Sequence, residues 1–487
     1  MTATNRRVLI FGADGLRPDL IDRALMPNVA RLEASGVRFT DHHAVYPSHT
    51  RVNGSTLSTG TTPGRHGIVA NTMLVPNATD DHTVDTSQFQ HLDALAASDP
   101  SGRAQLTTSL SDILGRSGAR VAVAGTGSSG SNVLWTFGNR GRMVNPNSAY
   151  GIADLYDLRE KLGEIPDVAV PNTERNRYAT RAVIDLFLHD PANRVITLWL
   201  AEPDSALHKF GLGSREARAG MKSADECLGA ILDALTERGI RDQFDVLFIS
   251  DHGHSSLRSH KSLRELLIEG QRDLGGHLPE IAIASDFIYP KPGTPEPTVE
   301  QLAPLAEWLL AQPWVDIVSG GLEGSERLPG VIALRDLWNG QTNPRRPMLA
   351  VSPKWNDGVN EFGVPGSVSA LTTQVALKSS HGSLSPYDMH ATLIASGPSF
   401  REGLVSAVPT GATDITPTIL TILGLELPEA IDGRVLHEAL ANPTGEVPDR
   451  EDLVLTATNP DGQPRGVLLH RVSATTYVHG SAQTGSV

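Results

Sequence analysis

The chain has 487 residues, 39% hydrophobic and 20% charged, an ordinary mix for a globular protein with a large core. That length fits one large domain with an insertion, or two to three domains. A net charge of −14 and a pI of about 5.6 exclude the basic face of a non-specific binder of nucleic-acid polymers. A small anionic substrate is not excluded, because metal ions supply local positive charge.

Cys227, the only cysteine, rules out intramolecular disulfides and thiolate metal sites; it sits in a helical pattern as a small packing residue. Met1–Arg7 runs at once into a strand, with no signal-peptide apolar region. No apolar run reaches the roughly 18 residues that span a bilayer. The expected location is the cytoplasm, with no membrane partner.

The run Arg7–Phe11 reads as a buried strand that ends in Gly12-Ala13-Asp14-Gly15. Met26–Ser35 reads as a helix stopped by Gly36 as a C-terminal cap, followed by a short strand at Val37–Phe39. Thr107–Ser117 is a helix capped by Gly118, and Arg120–Ala124 the next strand. Tyr178–Leu188 and Glu216–Arg238 read as amphipathic helices. Ile196–Leu200 is a strand before Glu202-Pro203-Asp204, and Val246–Ile249 one before Ser250-Asp251-His252-Gly253. This alternation predicts an α/β fold, a mostly parallel central sheet with helices on both faces. From Ser255 to about Ala376 the elements become short and the joints rich in Pro and Gly, which predicts an inserted, smaller α+β cap subdomain. The expected organisation is core 1–254, cap 255–376 and core again 377–487. The core pattern resumes with Met389–Ala395 and the helix Asp414–Leu423, and Leu453–Val478 is expected to add an edge hairpin.

Asp14, Asp204, Asp251 and His252 each follow a strand, where open α/β sheets build their sites. Asp204 and His208 lie one helical turn apart on one face. Thr50 and His381 complete a set of seven metal-ligand-type residues. Each alone has a bland reading: a helix-surface Asp/His pair, a loop histidine, a capping threonine. Further histidines near the motifs, including His254, are not assigned as ligands; His254 is the one placed to support His252.

In order, spacing and flanks the chain resembles the alkaline phosphatase superfamily, and within it the type I phosphodiesterase/nucleotide pyrophosphatase branch. The resemblance rests on Gly12-Ala13-Asp14-Gly15, Tyr46-Pro47-Ser48-His49-Thr50, His66-Gly67-Ile68-Val69-Ala70-Asn71, Pro203-Asp204-x-x-x-His208, Ser250-Asp251-His252-Gly253 and His381-Gly382. It implies a phosphohydrolase with two divalent metal ions, Zn2+ first and Mn2+ as the alternative, acting on a small anionic phosphoester. By the same resemblance Asp204, His208 and His381 hold one metal. Asp14, Asp251 and His252 hold the other beside Thr50, the nucleophile that becomes transiently phosphorylated. Asn71 is the expected amide donor to a phosphoryl oxygen.

The stretch Gly125–Leu134 holds no Lys or Arg, which favours a diester monoanion over a monoester dianion. Two departures from the family pattern bear on the substrate. Arg51 stands where nucleotide-cleaving relatives carry a base-stacking aromatic, so it either contacts a second anionic group or covers its helix and reaches solvent. Leu207 replaces a glycine before His208, which is expected to narrow the space beside that metal. A phosphonoacetate-type carbon–phosphorus hydrolase is the runner-up, with Arg51, Lys261, Lys354 or Lys378 holding a carboxylate. A phosphomonoesterase and an inactive, metal-stabilised binding protein complete the alternatives. A sulfatase is disfavoured, because Thr50-Arg51-Val52-Asn53-Gly54 lacks the required Cys/Ser-x-Pro-x-Arg motif.

Overall fold

Strand β1 (Arg7–Ala13) is buried at every position, as a strand flanked on both edges and covered on both faces must be. The computed structural model describes residues 5–137, 142–146, 148–150, 155–259, 262–270, 273–274, 279–369, 376–443, 446–459, 462 and 464–482. The main sheet also contains β2 (Val37–His43), β3 (Arg120–Gly125), β4 (Asn193–Leu200), β5 (Phe244–Ile249) and β6 (His390–Ser396). β1 lies parallel between β4 and β5, and β3 continues the sheet beyond β4. β6 runs antiparallel between β5 and β2.

The register brings the site together. Ala13 pairs with Leu200 and Gly12 with Ile249, so three strands distant in sequence end level. Asp14, the Ala201–Asp204 turn and Asp251 therefore emerge at one edge of the sheet.

Alternate side chains of β1 feed two cores. Leu9 and Phe11 pack with Met221, Leu228 and Ile231 of the helix Arg215–Glu237. Val8 and Ile10 pack on the other face with Leu57, Leu110 and Ile419, each from a different helix. Helices on both faces of a mostly parallel sheet are thus what the alternation of elements predicts.

Residues Ile281–Pro353 form a five-stranded sheet with one face on the helix Val299–Leu310. Its other face, with Phe287, Ile317 and Ile332, shares a hydrophobic cluster with Ile68 and Val69.

Several local expectations change. The helix after Met26 ends at Ala34, and Gly36 is not in the left-handed region, so it does not act as the expected cap. Its constraint is proximity: a Cβ there would lie 2.2 Å from the carbonyl of Ala395 on β6. Gly118, by contrast, has the left-handed φ of 74° that a cap requires. The helix expected from Tyr178 begins earlier, at Thr173. The tail does not add an edge hairpin to the main sheet. β7 (Arg450–Thr458), β8 (Pro464–Val472) and β9 (Thr475–Ala482) form their own antiparallel sheet. Val467, Leu469 and Val478 are buried in the cluster with Leu384 and Met389, so this sheet covers the core rather than lengthening it. Among the described residues no helix is long and apolar enough to cross a membrane.

Gly12 is held by a close approach: a Cβ there would lie 2.2 Å from the indole of Trp199. Gly12→Ala should destabilise the fold by about 1–3 kcal/mol, the usual cost of overpacking a tight core. A lower urea midpoint checks this.

Candidate metal and catalytic centre

The centre lies at the carboxyl ends of β1, β4 and β5, with Thr50 and His381 brought over it from outside these strands. Thr50 is the first residue of helix α1 (Thr50–Thr59), and α2 (Asp204–Phe210) carries both Asp204 and His208. Thr50 Oγ1 is 3.2 Å from His252 Nε2. The same nitrogen lies 3.5 Å from Asp14 Oδ1 and 3.4 Å from Asp251 Oδ2. Asp204 Oδ1 lies 3.4 Å from His208 Nε2 and 3.7 Å from His381 Nε2. The rings of His252 and His381 stack at 3.6 Å. All seven sequence-derived residues therefore converge.

The backbone fixes the histidine tautomers. His208 Nδ1 donates to the carbonyl of Ser379 at 2.7 Å, His252 Nδ1 to that of Gly253 at 2.9 Å, and His381 Nδ1 to that of Ser48 at 2.7 Å. Each ring, with Nδ1 so engaged, turns its Nε2 to the centre, a lone pair whenever that nitrogen carries no proton. Asp14 Oδ2 accepts from the Trp199 indole at 3.1 Å, and Asp251 Oδ1 from Gly15 N at 3.2 Å.

The other oxygens, Asp14 Oδ1 and Asp251 Oδ2, are buried and accept no hydrogen bond among the described residues. Unpaired buried carboxylate oxygens cost free energy unless a cation meets them. Burial, then repulsion from Asp251 and Asp204, holds the Asp14 carboxyl well above its ordinary range. Burial raises Asp251 as well. Burial alone would raise Asp204, but His208, His254 and His381 outweigh it and hold that carboxyl low. Crowded carboxylates, inward lone pairs and orphaned oxygens form a donor set that fits divalent cations.

One member was not assigned from sequence. His254 Nε2 lies 2.9 Å from Asp204 Oδ1, closer than His208 or His381, and it groups with Asp204, His208 and His381 around one point. Its signal was position: two residues beyond His252, on the same strand-end loop. Burial and the neighbouring His208 push its imidazole down to about 3, so it is held neutral.

Leu207 does not crowd the centre; it is fully buried in the core with Leu200 and Phe11. Arg51 does not reach free into solvent. It is half-buried, with its Nε 3.4 Å from Thr86 Oγ1. Burial lowers its guanidinium, while Asp85 and the carboxylates of the centre act in the opposite sense. The amide oxygen of Asn71 accepts from Arg51 N at 3.1 Å, which leaves the NH2 end as the donor toward a ligand.

A cleft of about 660 Å³ opens over the centre, lined by Asn71, His208, His381, Arg264 and Asp286 among others. Burial pushes the Asp286 carboxyl up to about 7. Neither Lys354 nor Lys378 is among the described residues that line the cleft, and Lys261 lies outside the described residues.

A mostly parallel sheet with a carboxylate–imidazole centre at its strand ends has the architecture of the alkaline phosphatase superfamily. The family model for type I phosphodiesterase / nucleotide pyrophosphatase matches residues 8–319, and the chain belongs to that family. It is 24% identical over 266 residues to a venom phosphodiesterase of Macrovipera lebetinus, covering 52% of this chain and 26% of the relative. It is 25% identical over 258 residues to ectonucleotide pyrophosphatase/phosphodiesterase family member 3 of Rattus norvegicus, covering 50% and 24%. The matched region spans about a quarter of the length of these curated relatives. Murine ectonucleotide pyrophosphatase/phosphodiesterase 5 shares the fold, with a TM-score of 0.61 over 90% of this chain and 100% of that chain at 19% identity. An inactive variant of that murine protein in complex with AMP superposes equally well.

Trp199 orients Asp14 through a single hydrogen bond. Trp199→Phe should weaken divalent-metal affinity by about 10–100-fold while the protein stays folded. Competition with a chromophoric chelator measures it.

Proposed function

We propose that the chain is a metal-dependent phosphodiesterase that cleaves phosphodiester or pyrophosphate bonds through a covalent threonine intermediate. The observation that carries this reading is Thr50. Its hydroxyl is the first side chain of a helix, 3.2 Å from His252 Nε2 and beside three aspartates that the fold holds together. A capping threonine needs no such surroundings.

Thr50 attacks phosphorus in line and the alcohol or phosphate leaving group departs opposite; water then hydrolyses the phosphothreonine and restores the hydroxyl. The amino terminus of α1 favours the negative charge that develops on the attacked group. Asn71 donates its amide N–H to a non-bridging phosphoryl oxygen, because its carbonyl end is already engaged by Arg51 N. Asp204, His208 and His381, joined by His254, would hold one divalent ion, and Asp14, Asp251 and His252 the other, with zinc suited to this mixture of imidazole and carboxylate. When bound, these ions supply the positive charge that lowers the pKa of the nucleophilic hydroxyl and stabilises the leaving oxygen.

The described residues lining the cleft include no Phe, Tyr or Trp. The polar groups among these lining residues, with Asn71, His208, His381 and Arg264, favour recognition of the substrate through its phosphate. Two relatives are named for phosphodiesterase activity and a solved relative holds AMP, which supports a nucleotide-type diester as the first substrate class to assay.

Hydrolysis of bis-p-nitrophenyl phosphate by the metal-loaded protein is the direct test; a loaded, folded protein without turnover would sink the reading. Chelation should abolish the activity and added zinc restore it. Thr50→Ala should keep the fold and lose nearly all turnover, and wild-type activity in that variant would remove Thr50 as nucleophile. Asn71→Ala should lower kcat by about 10²–10³, the scale of one lost oxyanion donor, while the protein stays folded despite the lost hydrogen bond from Arg51 N.

A further inference from the structure

Away from the catalytic cleft, a second group of histidines and a carboxylate converges where the tail sheet meets the main sheet. Asp41 and His43 are two apart on β2, His470 is on β8 and His479 on β9. One ligand atom from each of the four lies within 4.8 Å of all the others. His43 Nε2 is 3.1 Å from Asp41 Oδ1 and 3.3 Å from His479 Nδ1. His470 Nε2 is 3.0 Å from His479 Nδ1 and 4.0 Å from Asp41 Oδ2. His390 Nε2, at the start of β6, lies 3.2 Å from the same His479 Nδ1.

The outer hydrogen bonds fix what faces inward. His43 Nδ1 donates to the carbonyl of Thr410 at 3.1 Å. His470 Nδ1 donates to Asp452 Oδ1 at 2.8 Å. Both rings, when neutral, therefore turn a bare Nε2 lone pair toward Asp41 and His479. The side chains of His43 and His470 are 1% exposed, so water does not disperse this repulsion. Three Nε2 atoms crowd a single His479 Nδ1, which carries at most one proton to share among them. A carboxylate oxygen completes the set 3.1 Å from His43 Nε2, where two acceptors meet unless a proton or a cation lies between them. This is the same construction as the catalytic centre: outward Nδ1–H groups on carbonyl or carboxylate partners, inward lone pairs and a carboxylate.

The spacing is that of a coordination shell. Four ligands about 2.0–2.1 Å from a tetrahedral ion stand roughly 3.3 Å apart, close to the 3.0, 3.1 and 3.3 Å separations here. Three imidazoles and a carboxylate suit a borderline divalent cation of the zinc type.

We propose that Asp41, His43, His470 and His479 bind a further divalent transition-metal ion, of structural rather than catalytic use, which clamps the tail sheet onto β2. A buried imidazolium in place of the ion is the competing arrangement, and it predicts no bound metal.

Metal content of the purified full-length protein decides between them. The variant His470→Gln/His479→Gln should carry one zinc equivalent fewer than the wild type, counted by mass spectrometry of metals after gel filtration. It should also lose the part of the zinc-dependent rise in Tm that this ion supplies. An unchanged metal count in the folded variant overturns the proposal. Should that variant fail to fold, the converse protein decides. Asp14→Asn/His208→Gln/His252→Gln/His381→Gln, which removes two ligands from each proposed cleft ion, should still bind one Co2+ with a tetrahedral visible absorption band. No bound cobalt in that folded protein overturns the proposal equally.

Discussion

Three carboxylates, Asp14 and Asp251 buried and Asp204 partly so, meet at the ends of parallel strands, and the surrounding structure is arranged around their mutual repulsion. Taking such groups out of water is costly unless each oxygen finds a donor or a cation. The chain meets part of that demand itself, with the Trp199 indole on Asp14, the Gly15 amide on Asp251 and three imidazoles around Asp204. The two orphaned oxygens are the part it leaves to a cation.

The precision of the centre comes from elements that never touch a substrate. Level strand ends follow from the β1, β4 and β5 register, and that register is enforced because a slip by one residue would exchange the two cores fed by Leu9/Phe11 and Val8/Ile10. Arg17, buried and paired with Asp19, donates to the carbonyls of His254 and Pro365 and so ties the β1 exit loop to the β5 exit loop. Main-chain carbonyls of Ser48, Gly253 and Ser379 set the three tautomers, so the orientation of the ligands is written in backbone rather than in side-chain identity.

Much of this was legible in the amino-acid order because it is local. A strand that ends in Gly-Ala-Asp-Gly, or a Pro-Asp with a histidine one turn on, carries its geometry with it. What was not legible depends on distant partners. Gly36 reads as a helix cap until Ala395 is seen pressing on it. Leu207 reads as an obstruction until its side chain is found in the core. The tail reads as a hairpin because alternation specifies strands but not which sheet they join. His43, His470 and His479 carry no shared motif at all; only the docking of the tail sheet brings them together.

The position of β6 has a consequence for the order of synthesis. It lies between β2 and β5, antiparallel to both, yet it is made after the five-stranded sheet of Ile281–Pro353. Until residues 390–396 leave the ribosome, β2 cannot join β5, and His381 and β6 reach the core in the same late stretch of chain. Domains usually fold from the amino terminus as they emerge. The β5 edge that β6 covers and the group that His381 completes around Asp204 therefore both depend on the same late stretch of chain.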